Sequence, residues 1–199
     1  MADAAPLTPR LLLASTSPQR RAILEQLGIP FDAVAPDHDE ETLVHGDPFE
    51  LAREQARAKA RSVADDAAGR PVLGVDTVVA LDGTIYGKPA DAGAAARMLE
   101  RFGGETHVVV SGLCLIVGGD EAVGHESTRV EFRPLTARDV AAYVATGEWA
   151  GRAGGYAIQG RGAALVRAIE GDYGNVVGLP VALLVRVLSE RFAGLYGFG

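Results

Sequence analysis

Residues 11–21 place hydroxyl and guanidinium groups at a spacing that suits the binding of a phosphate-like anion. An apolar run, typical of a short buried strand, is followed by a turn containing Ser15 and Ser17, then by Pro18 and Arg20. Pro18 favours the first position of a helix, because its φ is fixed and its missing N–H would be unpaired there. Free N–H groups at a helix start, two hydroxyls and a guanidinium attract an anion. The alternative is that Ser17 only caps the helix and the arginines solvate it.

A carboxylate, Asp76, interrupts an apolar strand pattern in Gly74-Val-Asp76-Thr77. Burial of a carboxylate is costly unless the group is paired, coordinated or functional, so Asp76 is a candidate site residue. The alternative is a structural carboxylate that caps a neighbouring turn. Lys88 follows in Gly87-Lys88-Pro89, a tight turn from which its ammonium can be directed across a hairpin, although loop lysines are usually just solvated.

An acidic segment, with Asp37, Asp39, Glu40 and Glu41, follows the second strand pattern. Such a run is usually a solvated loop. Beside bound phosphates, however, one of these carboxylates together with Asp76 can hold a divalent ion, because magnesium typically takes one or two carboxylates plus phosphate oxygens.

A glycine-rich stretch, residues 147–162, contains Gln159 within Tyr156-Ala-Ile-Gln159-Gly160. Long loops without secondary structure are often functional. The amide of Gln159 both donates and accepts hydrogen bonds, so it could recognise the edge of a nucleotide base. The alternative is a surface loop with a turn-forming Gln-Gly pair.

Other hydrolytic chemistries lack an essential residue. The segment Leu81-Asp82-Gly83-Thr84 resembles the signature of haloacid-dehalogenase-type phosphatases, but Ala80 stands at the nucleophile position. The chain has no G-x-S-x-G or H-E-x-x-H motif, and its four histidines are scattered. Cys114 is the one cysteine, which excludes an intrachain disulfide and a cysteine-based zinc site.

The elements that must position these residues alternate between strand and helix patterns. Helices are predicted from Pro18 and at 48–67, 91–102, 137–146 and 180–195, with Asp47, Asp91 and Thr136 as caps. Strands are predicted at 11–14, 31–35, 71–81, 84–86, 105–117 and 121–133, with a further strand pair after residue 162. Hairpins mixed with βα units predict an α/β protein with a mixed sheet.

Composition limits the classes of partner. The 199 residues carry a net charge of −7, which disfavours binding of a nucleic-acid polymer or an anionic membrane. With 48% hydrophobic residues and no linker, we expect one domain over 11–199 after a flexible N-terminus at 1–10. No signal-peptide pattern or membrane-length apolar run is found, so a cytoplasmic location is expected.

Taken in order, these motifs resemble the Maf family of nucleoside triphosphate pyrophosphatases. The resemblance covers residues 11–192 and rests on Ser15-x-Ser17-Pro18-x-Arg20, Glu40, Lys59, Gly74-x-Asp76-Thr77, Gly87-Lys88-Pro89, AGGYAIQG (153–160) and GDYGNVVGLP (171–180). It implies an elongated mixed α/β sheet with two lobes around a central cleft, similar to inosine triphosphate pyrophosphatases. It also implies a homodimer and a divalent cation, Mg²⁺ or Mn²⁺. The Ile-Gln-Gly ending resembles the dTTP/UTP pyrophosphatase branch, with modified pyrimidine nucleotides as further candidates.

The resemblance also implies roles for individual residues. Asp76 would accept the proton of the attacking water, and Glu40 with Asp76 would hold the metal. Residues that would bind the triphosphate are Ser15, Ser17, Arg20, Lys59 and Lys88. Thr77 and Gln159 would lie near the base, together with Gln19.

The sequence departs from the family pattern at two positions, and it is compatible with two rival functions. The family commonly has arginine where Gln19 stands, and Gln55 competes with Lys59 for the place of the family lysine, depending on where counting begins. One rival is a pyrophosphatase acting on 7-methyl-GTP or another modified nucleotide, for which glutamate would be expected in place of Gln159. The other is a non-catalytic nucleotide-binding regulator of cell division.

Overall fold

The structure is a computed structural model and describes residues 9–38 and 46–198. The strands in this part of the chain are β1 (Leu11–Ala14), β2 (Phe31–Val34), β3 (Val72–Leu81), β4 (Thr84–Tyr86), β5 (Thr106–Val117), β6 (Asp120–Phe132) and β7 (Val166–Glu170). The α-helices are α1 (Pro18–Gln26), α2 (Pro48–Arg61), α3 (Ala92–Phe102), α4 (Ala137–Val144), α5 (Tyr173–Val177) and α6 (Val181–Arg191). Short 3-10 segments lie at Asp65–Ala67, Ala153–Gly155, Gly160–Leu165 and Leu195–Gly197.

The predicted helix starts are confirmed by capping contacts. Ser17, Asp47, Asp91 and Thr136 each accept a hydrogen bond from a backbone N–H of the helix that follows. A cap of this kind satisfies one of the N–H groups that have no partner within the helix.

The prediction of a strand pair after residue 162 is wrong. Only β7 forms, and the valine-rich segment after it is the short helix α5. The carboxylate of Asp172 caps this helix, accepting from the N–H of Gly174 at 2.7 Å, and Gly178 ends it with a φ of 127°. Local capping and a glycine conformation therefore override the β-propensity of Val176 and Val177.

The strands form one mixed sheet in the order β2-β1-β3-β5-β6-β7, with β4 paired to part of β3. β1 pairs in parallel with β2 and β3, and the remaining pairs are antiparallel. The predicted α/β class with a mixed sheet is confirmed. No helix among the described residues is long and apolar enough to cross a bilayer.

Within residues 9–38 and 46–198, no strand pairs with one edge of β3 over residues 74–78. β1 pairs with Val72 and Leu73, whereas β4 pairs only from Val79 onward. The two largest apolar clusters lie on either side of this gap. One packs β1 against α1 and α6, and the other packs the far end of β3 against α3 and α4. These clusters are the cores of two lobes with a cleft between them.

Helix α2 lies directly against the sheet because both surfaces are small where they meet. Ala52, Ala56 and Ala60 are fully buried. A Cβ added at Gly74 would lie 2.2 Å from the carbonyl oxygen of Ala56, and one at Gly112 would lie 1.9 Å from that of Ala52. Glycine is therefore required at both positions, and the close approach lets the α2 side chains reach the open part of β3.

Candidate active site

The gap in β3 opens into a cleft of about 540 Å³, a volume within the range of small-molecule sites. Among the described residues, its lining includes four cationic side chains and one carboxylate, namely Arg20, Lys59, Lys88, Arg152 and Asp76. The protein as a whole is acidic, so this local positive charge identifies the cleft as a site for a small anion.

The turn between β1 and α1 lies beside the open part of β3, and Arg20 connects the two. The Arg20 guanidinium donates to Ser15 Oγ at 3.0 Å, to Thr77 Oγ1 at 3.3 Å and to the carbonyl oxygen of Gly178 at 2.9 Å. Ser17 caps α1 and also lines the cleft, so its role as a cap is compatible with the predicted contact to an anion. Arg20 therefore cross-links three segments of the cleft wall.

Asp76 and Lys59 form a buried ion pair at the base of the cleft. Lys59 Nζ lies 2.5 Å from Asp76 Oδ1, and the two residues are only 3% and 8% exposed. Burial of either charge alone would be costly, so each requires the other. Within the described part of the chain Asp76 contacts a lysine rather than capping a turn, which argues against the structural alternative.

Lys59 and Gln55, the two candidates for the family lysine, differ in what their side chains contact. Both are buried on the sheet-facing side of α2 and both line the cleft. The amide oxygen of Gln55 lies 2.7 Å from His38 Nε2, whereas Lys59 pairs with Asp76. Lys59 is therefore the residue that places a positive charge beside the carboxylate.

Thr77 and Gln159, both expected near the base, line different cavities. Side chains alternate along β3, so Thr77 points to the face opposite Asp76, where its hydroxyl lies 2.9 Å from Ser111 Oγ and accepts from Arg20. Gln159 is exposed and lines a small recess beside the cleft. Of these two residues, only Gln159 lies in the recess.

This recess has a volume of about 40 Å³, which is room for a few water molecules or for one edge of a ring. It shares five lining residues with the cleft, namely Gln19, Arg152, Tyr156, Val176 and Val177. Gln19 therefore does lie close to Gln159.

The glycine-rich stretch that carries Gln159 is held by buried and half-buried polar groups. The carboxylate of Glu148 accepts hydrogen bonds from the N–H groups of Arg161 and Gly162, at 3.0 and 3.3 Å. The hydroxyl of Tyr143 accepts from the N–H of Ala157 at 3.0 Å. These contacts fix the backbone on both sides of Gln159, so its position is defined by the fold.

Tyr156 forms the wall shared by the cleft and the recess, and it is buttressed from behind. Its hydroxyl lies 2.7 Å from Nε2 of His107, a residue with no exposed surface. The His107 ring stacks on Phe102 at 4.6 Å and meets Phe132 edge-on at 5.0 Å. This apolar burial lowers the pKa of His107 to about 4 and raises the pKa of Tyr156.

The metal ligands expected from the sequence are only partly placed. Asp76 lines the cleft, while Glu40 lies outside the described residues, as do Asp39 and Glu41. Within residues 9–38 and 46–198 there is no cluster of three or more histidine, cysteine or acidic side chains that could hold a metal. Pro36 lines the cleft, so the acidic segment begins at its rim.

Three residues that line the cleft or support its walls are not predicted by the sequence. Arg152 lies in the glycine-rich stretch, and its cationic type beside Gln159 was a usable signal. Ser111 faces Thr77 across the antiparallel β3–β5 pair, a contact that requires the register to be known. Glu148 acts through backbone groups thirteen or more residues away, and no sequence pattern reveals that.

An α/β sheet interrupted by a cleft with clustered cations and one paired carboxylate defines a protein that binds small polyanionic ligands. Comparison with known proteins gives a finer class. The Maf-like protein family matches residues 10–191, and the chain belongs to that family.

The relatives are similar over nearly their whole length. The dTTP/UTP pyrophosphatase of Nitratidesulfovibrio vulgaris is 52% identical over 186 residues, with 92% of this chain and 88% of the relative covered. That of Symbiobacterium thermophilum is 46% identical over 181 residues, with 91% and 93% covered. Among solved structures, the Staphylococcus aureus Ham1 protein is 18% identical with a TM-score of 0.44, with 62% of this chain and 71% of that one covered.

Proposed function

We propose that this protein hydrolyses dTTP and UTP to the nucleoside monophosphate and pyrophosphate. The observation that carries the proposal is the concentration of four cations around one carboxylate in the cleft of an otherwise acidic protein. The names of the full-length relatives, dTTP/UTP pyrophosphatase, support the same reaction and the same bases.

The chemistry requires charge neutralisation on a polyphosphate and an oriented water with a base beside it. We assign the base to Asp76, because it is the carboxylate that lines the cleft in the described residues. Lys59 holds the orientation of this carboxylate through the ion pair at 2.5 Å. Arg20, Ser15, Ser17 and Lys88 bind the phosphates from the turn after β1 and from the segment after β4.

A divalent cation, Mg²⁺ or Mn²⁺, fits this donor set. The one carboxylate that lines the cleft among the described residues, Asp76, is compatible with an ion that takes one or two carboxylates and completes its shell with phosphate oxygens and water. We propose that Asp76 and Glu40 hold it, with Glu40 supplied by the segment that begins at the cleft rim near Pro36. When bound, the ion would neutralise charge on the phosphate oxygens.

Base recognition is assigned to the recess. A pyrimidine ring lying against Tyr156 would direct one edge toward Gln159, whose amide can donate and accept at once. This matches the adjacent carbonyl and N–H of thymine and uracil. Gln19 lies in the same recess and is the second candidate for this contact, whereas Thr77 acts with Arg20 on the phosphate side.

The proposal is tested with a nucleotide panel and separate detection of pyrophosphate and phosphate. With Mg²⁺ or Mn²⁺ we expect pyrophosphate release from dTTP and UTP, much slower release from ATP and GTP, and loss of activity with EDTA. Asp76→Asn should lower kcat about 10²–10⁴-fold, the usual effect of losing a general base. Asp82→Asn, in the exposed β3–β4 turn, is the matched control and should retain full activity.

Two results would contradict the assignment. Release of single phosphate would place cleavage at a different bond, and an Asp76→Asn variant within a few-fold of wild type would remove Asp76 from the chemistry.

We further propose that the protein is a cytoplasmic homodimer. Light scattering at working concentrations would give the mass of a dimer, and a stable monomer would refute this part of the proposal.

A further inference from the structure

The side chain of Arg152 has no hydrogen-bond or ion-pair partner in residues 9–38 and 46–198, unlike the side chains of Arg20 and Lys59. Arg20 is bonded to three groups, and Lys59 pairs with Asp76. Arg152 is half-buried and lines both the cleft and the recess. A desolvated guanidinium gains most from an anionic oxygen, to which it can donate two parallel hydrogen bonds.

The backbone next to Arg152 is held by contacts to other parts of the cleft wall. The N–H of Gly154 donates to the carbonyl oxygen of Gly87 at 3.1 Å, which ties this segment to the turn that carries Lys88. Gly154 also lies against Val79 of β3, where an added Cβ would come within 3.1 Å of the valine side chain. Arg152 is therefore held at the border between the two cavities.

We propose that Arg152 binds the α-phosphate of the nucleotide and so recognises the part of the substrate that remains in the monophosphate product. This inference rests on the proposed function. With the base edge in the recess and the β- and γ-phosphates near Lys88 and Arg20, the α-phosphate lies between them, where Arg152 borders both cavities. Attack by water places new negative charge on the α-phosphoryl oxygens, which a guanidinium at that point would stabilise.

The test separates the two products. Calorimetric titrations with thymidine, dTMP and pyrophosphate, each with Mg²⁺, would be run on wild type, Arg152→Gln, Arg152→Lys and Arg161→Gln. Arg161 belongs to the same glycine-rich stretch but is exposed and lines neither cavity, so it controls for net charge. Thermal unfolding followed by circular dichroism would establish that each variant is folded.

We expect Arg152→Gln to weaken dTMP binding on the order of 10- to 100-fold, as for the loss of a charge-assisted hydrogen bond. Thymidine and pyrophosphate should bind within about threefold of wild type, Arg152→Lys should recover part of the loss, and Arg161→Gln should change nothing. Equal weakening of dTMP and pyrophosphate, an equal loss for thymidine, unchanged dTMP binding, or no dTMP binding by wild type would each overturn the inference.

The binding titrations need no turnover, so they are independent of the activity assay. Wild type that binds dTMP through Arg152 but releases no pyrophosphate from any triphosphate would refute the proposed function alone.

Discussion

The buried histidine behind the cleft predicts a specific loss of stability in acid. His107 is fully buried among Phe102, Phe132 and Tyr156, and its pKa falls from 6.5 to about 4 because burial disfavours the charged ring. Well above pH 6.5 the ring is neutral in both the folded and the unfolded state, so it adds no pH dependence there. Between pH 6.5 and 4 only the unfolded state binds the proton, so the free energy of unfolding falls as the pH falls.

The size of this effect follows from the pKa difference. At about 1.4 kcal/mol for each pKa unit, the displacement from 6.5 to about 4 gives a loss of about 3 kcal/mol by pH 4. Carboxylates also titrate in this range, so the histidine contribution must be isolated by substitution. His107→Gln keeps a hydrogen-bonding amide near the position of Nε2 but cannot be protonated.

The assay is urea unfolding at several pH values from 7.5 to 4, followed by fluorescence of the single tryptophan. The wild type should lose up to about 3 kcal/mol more than His107→Gln over this range. Tyr156→Phe is the matched control, because it removes the hydrogen bond of 2.7 Å to His107 but leaves the histidine ring buried. This variant should change the free energy of unfolding by the same amount at every pH, so that its dependence on pH matches that of the wild type. Parallel pH curves for wild type and His107→Gln would refute the argument.

Three further predictions follow from packing and from the recess. Gly74→Ala and Gly112→Ala should each lower the free energy of unfolding, measured by urea titration, by about 1–3 kcal/mol, because the added methyl group meets the backbone of α2. Gly124→Ala is the control and should cost less, because its methyl group meets a flexible leucine side chain at 3.2 Å. Equal losses for the three variants would contradict this prediction. Cys114 is buried and its pKa is raised to about 12, so thiol reagents at pH 8 should label it no faster than the protein unfolds, and rapid labelling of native protein would disprove it. Gln159→Glu should lower kcat/KM for dTTP and UTP relative to 7-methyl-GTP, since a glutamate only accepts hydrogen bonds, and an unchanged ratio would place base recognition elsewhere.

Much of the fold could be predicted from local patterns. The strand at Leu11–Ala14, the helix beginning at Pro18 and the hairpin at Asp82-Gly83 are all present, because each is specified by a few neighbouring residues. The error after residue 162 arose where valines favoured a strand and a cap with a glycine specified a helix instead. The competition between these signals depends on contacts that Asp172 makes with α6, which sequence alone does not display.

The site was predicted less completely, because its geometry depends on register and on helix–sheet distance. Asp76 was recognisable as a charge in an apolar strand, but its pairing with Lys59 requires α2 to lie close against Gly74 and Gly112. The alternation of side chains along β3 can be predicted from the sequence, but it does not show which loop packs against each face of the strand.

The cleft itself is a consequence of strand length. β1 stops pairing with β3 at Leu73, and β4 starts at Val79, so the intervening edge remains open in the described structure. Asp76 lies in the middle of that interval, between the two apolar cores. A longer β1 would cover the carboxylate, and a shorter one would remove the turn that carries Ser15 and Arg20. The mismatch in strand length therefore creates the substrate space and places the phosphate-binding turn at its edge.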